Sequence, residues 1–365
     1  LAEPSGARWM STVAGFSTEL VGMDYVGLAD AAFLAGRPRV LTRTISGQEY
    51  LLAVDPSLGF VEDTILEHLQ RIVVRASAAL GPLPEERTVA ILLARADDPW
   101  VMTGTGRSGG IVLEMGSNVR PDSVEVGHLV AHEHLHRYIG NLVAFSPEDE
   151  LATLWFKEGL VDYLAARLLV SSGVFGTSGF YGPLSDAVTG YLANASAGNA
   201  LPQRPDADFW VDGAQRRLPY EQGFLLALWL DAALSRTGRS LEQVVGALVS
   251  EFSGQVIGGS TLRVHFVARL GAPAEQLFAD YVSGATPIPV GEWLAAVGLQ
   301  ASRRSREAPY YGVEVDTTSD GIWRISHVDP DGPAAGLPLA VGDRLRGAPF
   351  IPRSGLTRRA VYVVD

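Results

Sequence analysis

The sequence contains no cysteine among its 365 residues and only seven histidines, and its charge is strongly one-sided. Without cysteine the chain has no disulfide scaffold and no thiolate for a catalytic nucleophile, an iron–sulfur cluster or a Cys-ligated zinc site. A formal net charge of -12 argues against the basic face that a nucleic-acid groove requires. No apolar run reaches the ~18 residues of a membrane-spanning helix, so no transmembrane segment is predicted.

The lack of cysteine and of an initiating methionine bears on where the protein works. Because the chain begins with Leu1, we expect a processed or trimmed product, and any signal peptide would be out of view. A cysteine-free chain suits an oxidising compartment, so we expect export to the periplasm or exterior of a bacterium. A cytoplasmic location remains open, and so does the oligomeric state.

The hydropathy pattern divides the chain into three segments, and together they predict an α+β, multidomain fold. Residues 1–55 contain short β-like runs, which either pack on the next part of the chain or end an N-terminal β-domain. Residues 56–300 are mostly helical, and 301–365 alternate strand-like runs with turns, which is typical of a small β-rich domain. The long connection 171–218 carries one predicted helix near 184–194, and we expect it to line the site.

Four of the seven histidines lie within nine residues, 128–136, and two of them form the pattern His132-Glu133-x-x-His136. On a helix, positions i and i+4 share a face, so both imidazoles can reach one zinc ion while Glu133 reaches a water beside it. The alternative is an accidental match in an ordinary helix. We expect His128 to lie behind His132 on the same face, and His134 to be a solvated or core histidine.

The next predicted helix offers a third zinc ligand. Glu158 and Asp162 stand at i and i+4 on one face of an otherwise apolar helix. Acids at core-like positions are costly unless they bind a metal or pair with a charge. Glu158 as a ligand and Asp162 as the hydrogen-bond partner of a ligating histidine would satisfy both conditions. The alternative is a pair of surface acids on an amphipathic helix.

Three motifs in this order resemble the gluzincin metallopeptidases, which have a mostly helical, thermolysin-like catalytic domain. The motifs are H-E-x-x-H at 132–136, W-F-K-E-G at 155–159 and P-Y-E-Q-G at 219–223. The third opens a predicted apolar helix and is similar to the P-Y-E-K-G segment of gluzincin aminopeptidases, with Gln222 where those enzymes often have lysine. The resemblance implies one zinc ion per chain held by His132, His136 and Glu158, with Glu133 as general base and then acid, Asp162 orienting a ligand, and the Tyr220 hydroxyl stabilising the oxyanion.

The C-terminal segment resembles a bacterial PDZ domain. The matching runs are Y-G-V-E-V at 311–315, W-R-I-S-H-V at 323–328, P-A-A-G-L at 333–337 and G-D-R-L at 342–345. A gluzincin core followed by a PDZ module is similar to the glycyl aminopeptidase family, whose full members also carry an N-terminal β-domain. The resemblance therefore implies three domains: 1–55 as the end of a β-domain, 56–300 as the catalytic domain and 301–365 as a short PDZ-like domain.

The resemblance implies a zinc-dependent metallopeptidase acting on a peptide or protein, and an aminopeptidase in particular. Related aminopeptidases bind the free amine of the substrate through a glutamate in a glycine-rich edge-strand motif. The nearest candidate here is Glu114, after Gly109 and Gly110, and a plain strand-end acid is the alternative. Two other functions remain open: an endopeptidase on the same fold, and a peptidase-derived, non-catalytic module that binds peptides or proteins.

Overall fold

The computed structural model describes residues 8–12, 30–59, 61–107, 109–201, 209, 212–305, 312–317, 323–344 and 359–364. Its strands are β1 (Arg8–Ser11), β2 (Phe33–Gly36), β3 (Arg39–Ile45), β4 (Gln48–Val54), β5 (Arg87–Arg95), β6 (Met102–Arg107), β7 (Gly110–Gly116), β8 (Val143–Phe145), β9 (Gln255–Ile257), β10 (Gln300–Ser305), β11 (Val313–Thr317), β12 (Trp323–Val328) and β13 (Arg359–Val364). Its α-helices are α1 (Glu62–Leu80), α2 (Val124–Leu135), α3 (Glu150–Leu154), α4 (Val161–Ser171), α5 (Ser178–Ala193), α6 (Gly213–Ser235), α7 (Leu241–Phe252), α8 (Gly259–Leu270), α9 (Ala272–Leu277) and α10 (Val290–Ala296).

Five strands form one sheet in the order β3-β4-β5-β7-β6. The β4–β5 and β5–β7 pairs are parallel, whereas β3 and β6 join antiparallel at the two edges. The N-terminal strands β3 and β4 therefore belong to one sheet with later strands. The domain boundary predicted at residue 55 falls between β4, which belongs to this sheet, and α1.

Side-chain alternation gives the sheet two apolar faces. In β7, Leu113 joins the large core that the helices build, while Val112 joins a smaller cluster on the opposite face. That smaller cluster includes Met10 of β1, so the β1–β2 hairpin covers the second face. Helix α1 carries an apolar stripe with Ile65 and Leu69 and buries it in the large core, and α2 lies against β6 and β7.

Helices α4 and α5 pack directly against α2, and α6 to α10 complete the large core. A π-helical segment, Trp155–Leu160, connects α3 to α4 without a break in the chain direction. Helix α5 begins at Ser178, earlier than the predicted 184. Helix α6 begins at Gly213 rather than at Pro219, because the Asp212 side chain caps its first turn by accepting from Ala214 N. Pro219 consequently lies inside the helix.

The C-terminal segment contains two antiparallel ladders, β10 with β13 and β11 with β12. Parts of the PDZ-like runs, at 311 and at 345, lie outside the described residues, as do 1–7 and 13–29 of the N-terminal segment. The PDZ-like interpretation and the three-domain division stay predictions. In the part of the chain that the structure describes, none of the helices has the length and apolar character needed to cross a bilayer.

Candidate metal centre

Helix α2 presents the H-E-x-x-H residues at its C-terminal end. Ser123 caps the helix by accepting from the backbone N–H of Val126, at 3.3 Å. From this start, His132 and Glu133 fall in the last turn and are buried, and His136 is the half-buried C-cap residue. The helix ends at Leu135, and the i, i+4 geometry of the two histidines is preserved.

The side chains of three residues from two helical segments converge on one point. The Nε2 atoms of His132 and His136 lie 2.9 Å apart. Oε2 of Glu158 lies 3.3 Å from the first of these nitrogens and 3.5 Å from the second. Each residue offers one ligand atom, and these atoms all lie within 4.8 Å of one another. We call His132, His136 and Glu158 the ligand cluster.

The outer nitrogen of each histidine is held by a hydrogen bond. His132 Nδ1 donates to Oδ1 of Asp162 at 2.7 Å, and His136 Nδ1 donates to the Ile139 carbonyl at 3.2 Å. A neutral imidazole that donates through Nδ1 has its lone pair on Nε2. In this neutral form both lone pairs would face the carboxylate of Glu158, and the three ligand atoms would repel one another unless a cation lay between them. Two imidazoles and one carboxylate are the donor set of an open, catalytic zinc site, so the residues present fit this metal.

The electrostatics of the ligand cluster favour positive charge. Burial disfavours the charged form of His132, yet the Asp162 and Glu158 carboxylates hold its pKa well above the ordinary value. Burial also opposes ionisation of Glu158, but hydrogen bonds from His132 and His136 hold the pKa of this carboxyl far below the ordinary value. The cluster is thus arranged to carry an ionised carboxylate at neutral pH and to stabilise a cation.

Glu133 faces the ligand cluster with one free oxygen. Its side chain is 4% exposed, and the Gly106 backbone N–H on β6 donates a hydrogen bond to its carboxylate. The second oxygen, Oε2, is buried and has no hydrogen-bond partner. Burial raises the pKa of Glu133, while His132 and His136 oppose this rise. A buried acceptor without a partner fits a residue that holds and deprotonates a water.

The position of Glu158 depends on a close helix crossing. Glu158 lies in the π-helical segment, a helix type found frequently at functional sites. A Cβ placed on the next residue, Gly159, would lie 2.5 Å from the Gly223 Cα atom of α6. This approach brings Tyr220 to the cluster, where its phenol is hydrogen-bonded to Glu158. Burial and the nearby Glu158 carboxylate raise the pKa of Tyr220, so the phenol keeps its proton at neutral pH.

The two other histidines of α2 lie outside the cluster. His128 Nε2 lies 3.0 Å from the backbone carbonyl of Asp162, and its ring centroid lies 6.5 Å from that of His132. His134 is 1% exposed and packs edge-on against Tyr138, with ring centroids 5.8 Å apart. Burial, with a smaller contribution from Arg137, lowers the pKa of His134 to about 3, so it is a neutral core residue.

Glu114 is not brought to the ligand cluster. Its side chain alternates with that of Leu113, which points toward the helices, and shares the opposite sheet face with Val112. Its carboxylate forms an ion pair with Arg95. Glu114 is therefore paired with Arg95 on the face of the sheet that does not contact α2.

Sequence reasoning missed two backbone groups of the site. The Ile139 carbonyl holds His136, and the Gly106 N–H holds Glu133. Backbone groups carry no residue-type signal, and each depends on where a turn or a neighbouring strand lies in space.

Several solved structures share this fold. An aminopeptidase N family protein from Idiomarina loihiensis matches with a TM-score of 0.71 and 16% identity over 93% of this chain and 65% of that one. A two-domain M1 zinc metallopeptidase bound to L-arginine matches at TM-score 0.55 and 19% identity, over 79% of this chain and 63% of that one. An M1 zinc metallopeptidase from Deinococcus radiodurans, bound to a Tyr-Ser-Ala substrate, gives the same four values. No protein-family model and no curated protein matches. The chain thus has the M1 metallopeptidase fold and spans less than two thirds of these neighbours.

Proposed function

We propose that this protein is a zinc-dependent metallopeptidase that hydrolyses peptide bonds, with an aminopeptidase as the leading assignment. The observation that carries the proposal is the convergence of His132 Nε2, His136 Nε2 and Glu158 Oε2 beside the unpartnered oxygen of Glu133. The M1 structures bound to L-arginine and to Tyr-Ser-Ala support a peptide substrate by analogy of fold. The resemblance of the sequence to glycyl aminopeptidases adds a family within this class.

The ligand cluster would hold one zinc ion, which when bound supplies a Lewis acid and makes a coordinated water more acidic. Asp162 and the Ile139 carbonyl keep the two imidazoles in the tautomer that leaves Nε2 free. Glu133 Oε2 accepts the proton of the attacking water, and the protonated carboxyl then delivers it to the leaving amine. Burial, which raises the pKa of Glu133, brings its basicity closer to that of a base working near neutral pH.

Tyr220 would donate a hydrogen bond from its phenolic hydroxyl to the developing oxyanion. Its hydroxyl lies at the cluster, bonded to Glu158, and keeps its proton because its pKa is raised. A donor beside a developing negative charge stabilises the transition state more than the bound substrate. This role predicts an effect on turnover and little effect on substrate binding.

An endopeptidase is the second candidate, and the placement of Glu114 favours it. The Glu114 carboxylate pairs with Arg95 on the sheet face opposite the ligand cluster, so it cannot contact the amine of a substrate bound at that cluster. A free ammonium group in a partly desolvated cleft gains little without a carboxylate partner. A third possibility, a non-catalytic binding module, requires that the site not turn over peptides although the ligand set is intact.

A single set of assays separates these functions. Purified protein, never exposed to a chelator, should contain one zinc per chain and cleave free-amine peptides faster than the same peptides with an acetylated N-terminus. Preference for the blocked peptides would identify an endopeptidase, and zinc without turnover would identify a binding module. Glu133→Gln should abolish turnover and keep the zinc, because it removes the base and leaves the ligand cluster intact.

The histidines of α2 supply a matched pair of variants for the metal. His136→Gln should lose stoichiometric zinc, because its Nε2 belongs to the ligand cluster. His134→Gln should retain zinc, because its buried ring lies outside the cluster and packs on Tyr138. Zinc well below one per chain in the wild type, or full activity of Glu133→Gln, would refute the proposed function.

A further inference from the structure

The edge strand β6 lies directly against the functional side chains of α2. In the β6–β7 register, Gly104 pairs with Leu113 and Gly106 pairs with Ile111. Leu113 and Ile111 both belong to the core that the helices build, so strand alternation directs positions 104 and 106 toward α2. The intervening position, Thr105, faces the other way.

Neither glycine leaves room for a side chain. A Cβ on Gly104 would lie 2.6 Å from both Cγ and Oε1 of Glu133. A Cβ on Gly106 would lie 2.9 Å from the Cβ of His136. Neither position has the positive φ that restricts a site to glycine, so backbone conformation does not explain either residue. The requirement is one of space against two specific side chains.

We infer that Gly104 and Gly106 are separate positioning residues, Gly104 for the Glu133 carboxylate and Gly106 for the His136 ligand. The inference rests on the proposed function and assigns the two glycines to different steps of it. Strand β6 thereby positions both the base, Glu133, and one metal ligand, His136, although none of its own side chains belongs to the ligand cluster.

The two contacts differ in what can move. Glu133 meets the edge strand with the outer part of a flexible side chain, which a methyl group at 104 would rotate away without disturbing α2. His136 meets it with its Cβ, which is fixed to the backbone at the end of α2, so a methyl group at 106 must displace the helix end or the strand. The first change moves the base, and the second moves a ligand.

The test compares Gly104→Ala and Gly106→Ala in the full chain, measuring zinc affinity by chelator competition alongside kcat and KM. Gly104→Ala should lower kcat by about 100-fold, the scale for a ~1 Å displacement of a catalytic group, with KM and zinc affinity unchanged. Gly106→Ala should weaken zinc binding by about tenfold or more. Thr103→Ala, on the exposed side of the same strand, should match the wild type in all three values.

A compensating variant separates positioning from damage to the fold. Glu133→Asp shortens the side chain by one methylene and makes room for a methyl group at 104. Glu133→Asp should therefore lower kcat less in the Gly104→Ala background than in the wild type. If Gly104→Ala alone fails to fold, the double variant should fold. Wild-type kcat in Gly104→Ala, equal losses of zinc affinity in both glycine variants, or additive effects of the pair would overturn the inference. Failure of the proposed function would instead appear in the wild type, as absent zinc or absent hydrolysis.

Discussion

The Asp162 carboxylate accepts a hydrogen bond from His132 Nδ1 at 2.7 Å, while the backbone carbonyl of the same residue lies 3.0 Å from His128 Nε2. Asp162 is therefore held from both sides by one face of α2. Because it fixes the tautomer of His132, it determines that Nε2 and not Nδ1 is available to a metal. The third residue of this face, His136, obtains the same orientation from the Ile139 carbonyl.

Removing the Asp162 carboxylate should weaken zinc binding without removing a ligand. Asp162→Ala should lower zinc affinity by about 10- to 100-fold, because His132 loses the partner that orients its ring. Asp162→Asn should lose less, since its amide oxygen can still accept from Nδ1. Chelator competition at fixed pH measures both affinities. Equal affinities for wild type and Asp162→Ala would show that the hydrogen bond is incidental.

Removing the Tyr220 hydroxyl should act on turnover alone. Tyr220→Phe should reduce kcat by about 100-fold or more, the scale for loss of one oxyanion donor, with little change in KM. Zinc content should remain at the wild-type level, because the phenol is not part of the ligand cluster. Steady-state kinetics with one free-amine peptide measures the split. A raised KM with an unchanged kcat would place Tyr220 in substrate binding instead.

The sequence indicates which residues of the ligand cluster share a helix face, because that geometry is local. His132 and His136 are one helical turn apart, and so are Glu158 and Asp162, so each pair needs only a helix to share a face. The structure brings both pairs together with the Tyr220 phenol. The prediction that the two pairs share one site came from the order of the three motifs along the chain, because spacing within one helix does not show which other helix it contacts.

Features that depend on strand register or on the contact of two backbones could not be predicted. A one-residue shift of β7 would carry Glu114 to the helix side, and its sequence neighbours do not determine that register. The contact between Gly159 and Gly223 joins residues far apart in the chain. The start of α6 before Pro219 depends on a cap at Asp212, which outweighs the usual preference of proline for a helix's first turn.

The crossing of the π-helical segment with α6 should tolerate no added methyl group. A Cβ on Gly159 would lie 2.5 Å from the Pro219 carbonyl oxygen and the Gly223 Cα, so backbone must yield. Gly159→Ala should lower the free energy of unfolding by about 1–3 kcal/mol. It should also weaken zinc binding, because the neighbouring Glu158 belongs to the ligand cluster.

Gly291 in α10 supplies the matched control for this substitution, because its Cβ would meet no heavy atom within 4 Å. Gly291→Ala should leave zinc affinity unchanged and raise stability by about 0.4–1 kcal/mol, as expected for alanine replacing glycine in a helix. Urea unfolding of the zinc-loaded proteins measures the stability. Equal behaviour of the two variants would mean that the crossing is not constrained by space.

Acid sensitivity should depend in part on His265, a buried residue of α8. Burial lowers the pKa of His265, and the positive charge of Arg269 lowers it further. The hydrogen bond to the Val244 carbonyl and the negative charge of Glu251 raise it, but burial has the largest effect. Below the ordinary histidine pKa of about 6.5, the unfolded chain binds a proton that the folded chain does not. Stability should therefore fall as pH falls, by up to about 1.4 kcal/mol per pH unit from this group.

His265→Gln keeps a donor for Val244 and does not titrate, so between about pH 7 and pH 5 it should lose less stability than the wild type in urea unfolding. Parallel losses in the two proteins would show that His265 takes up its proton equally well when folded.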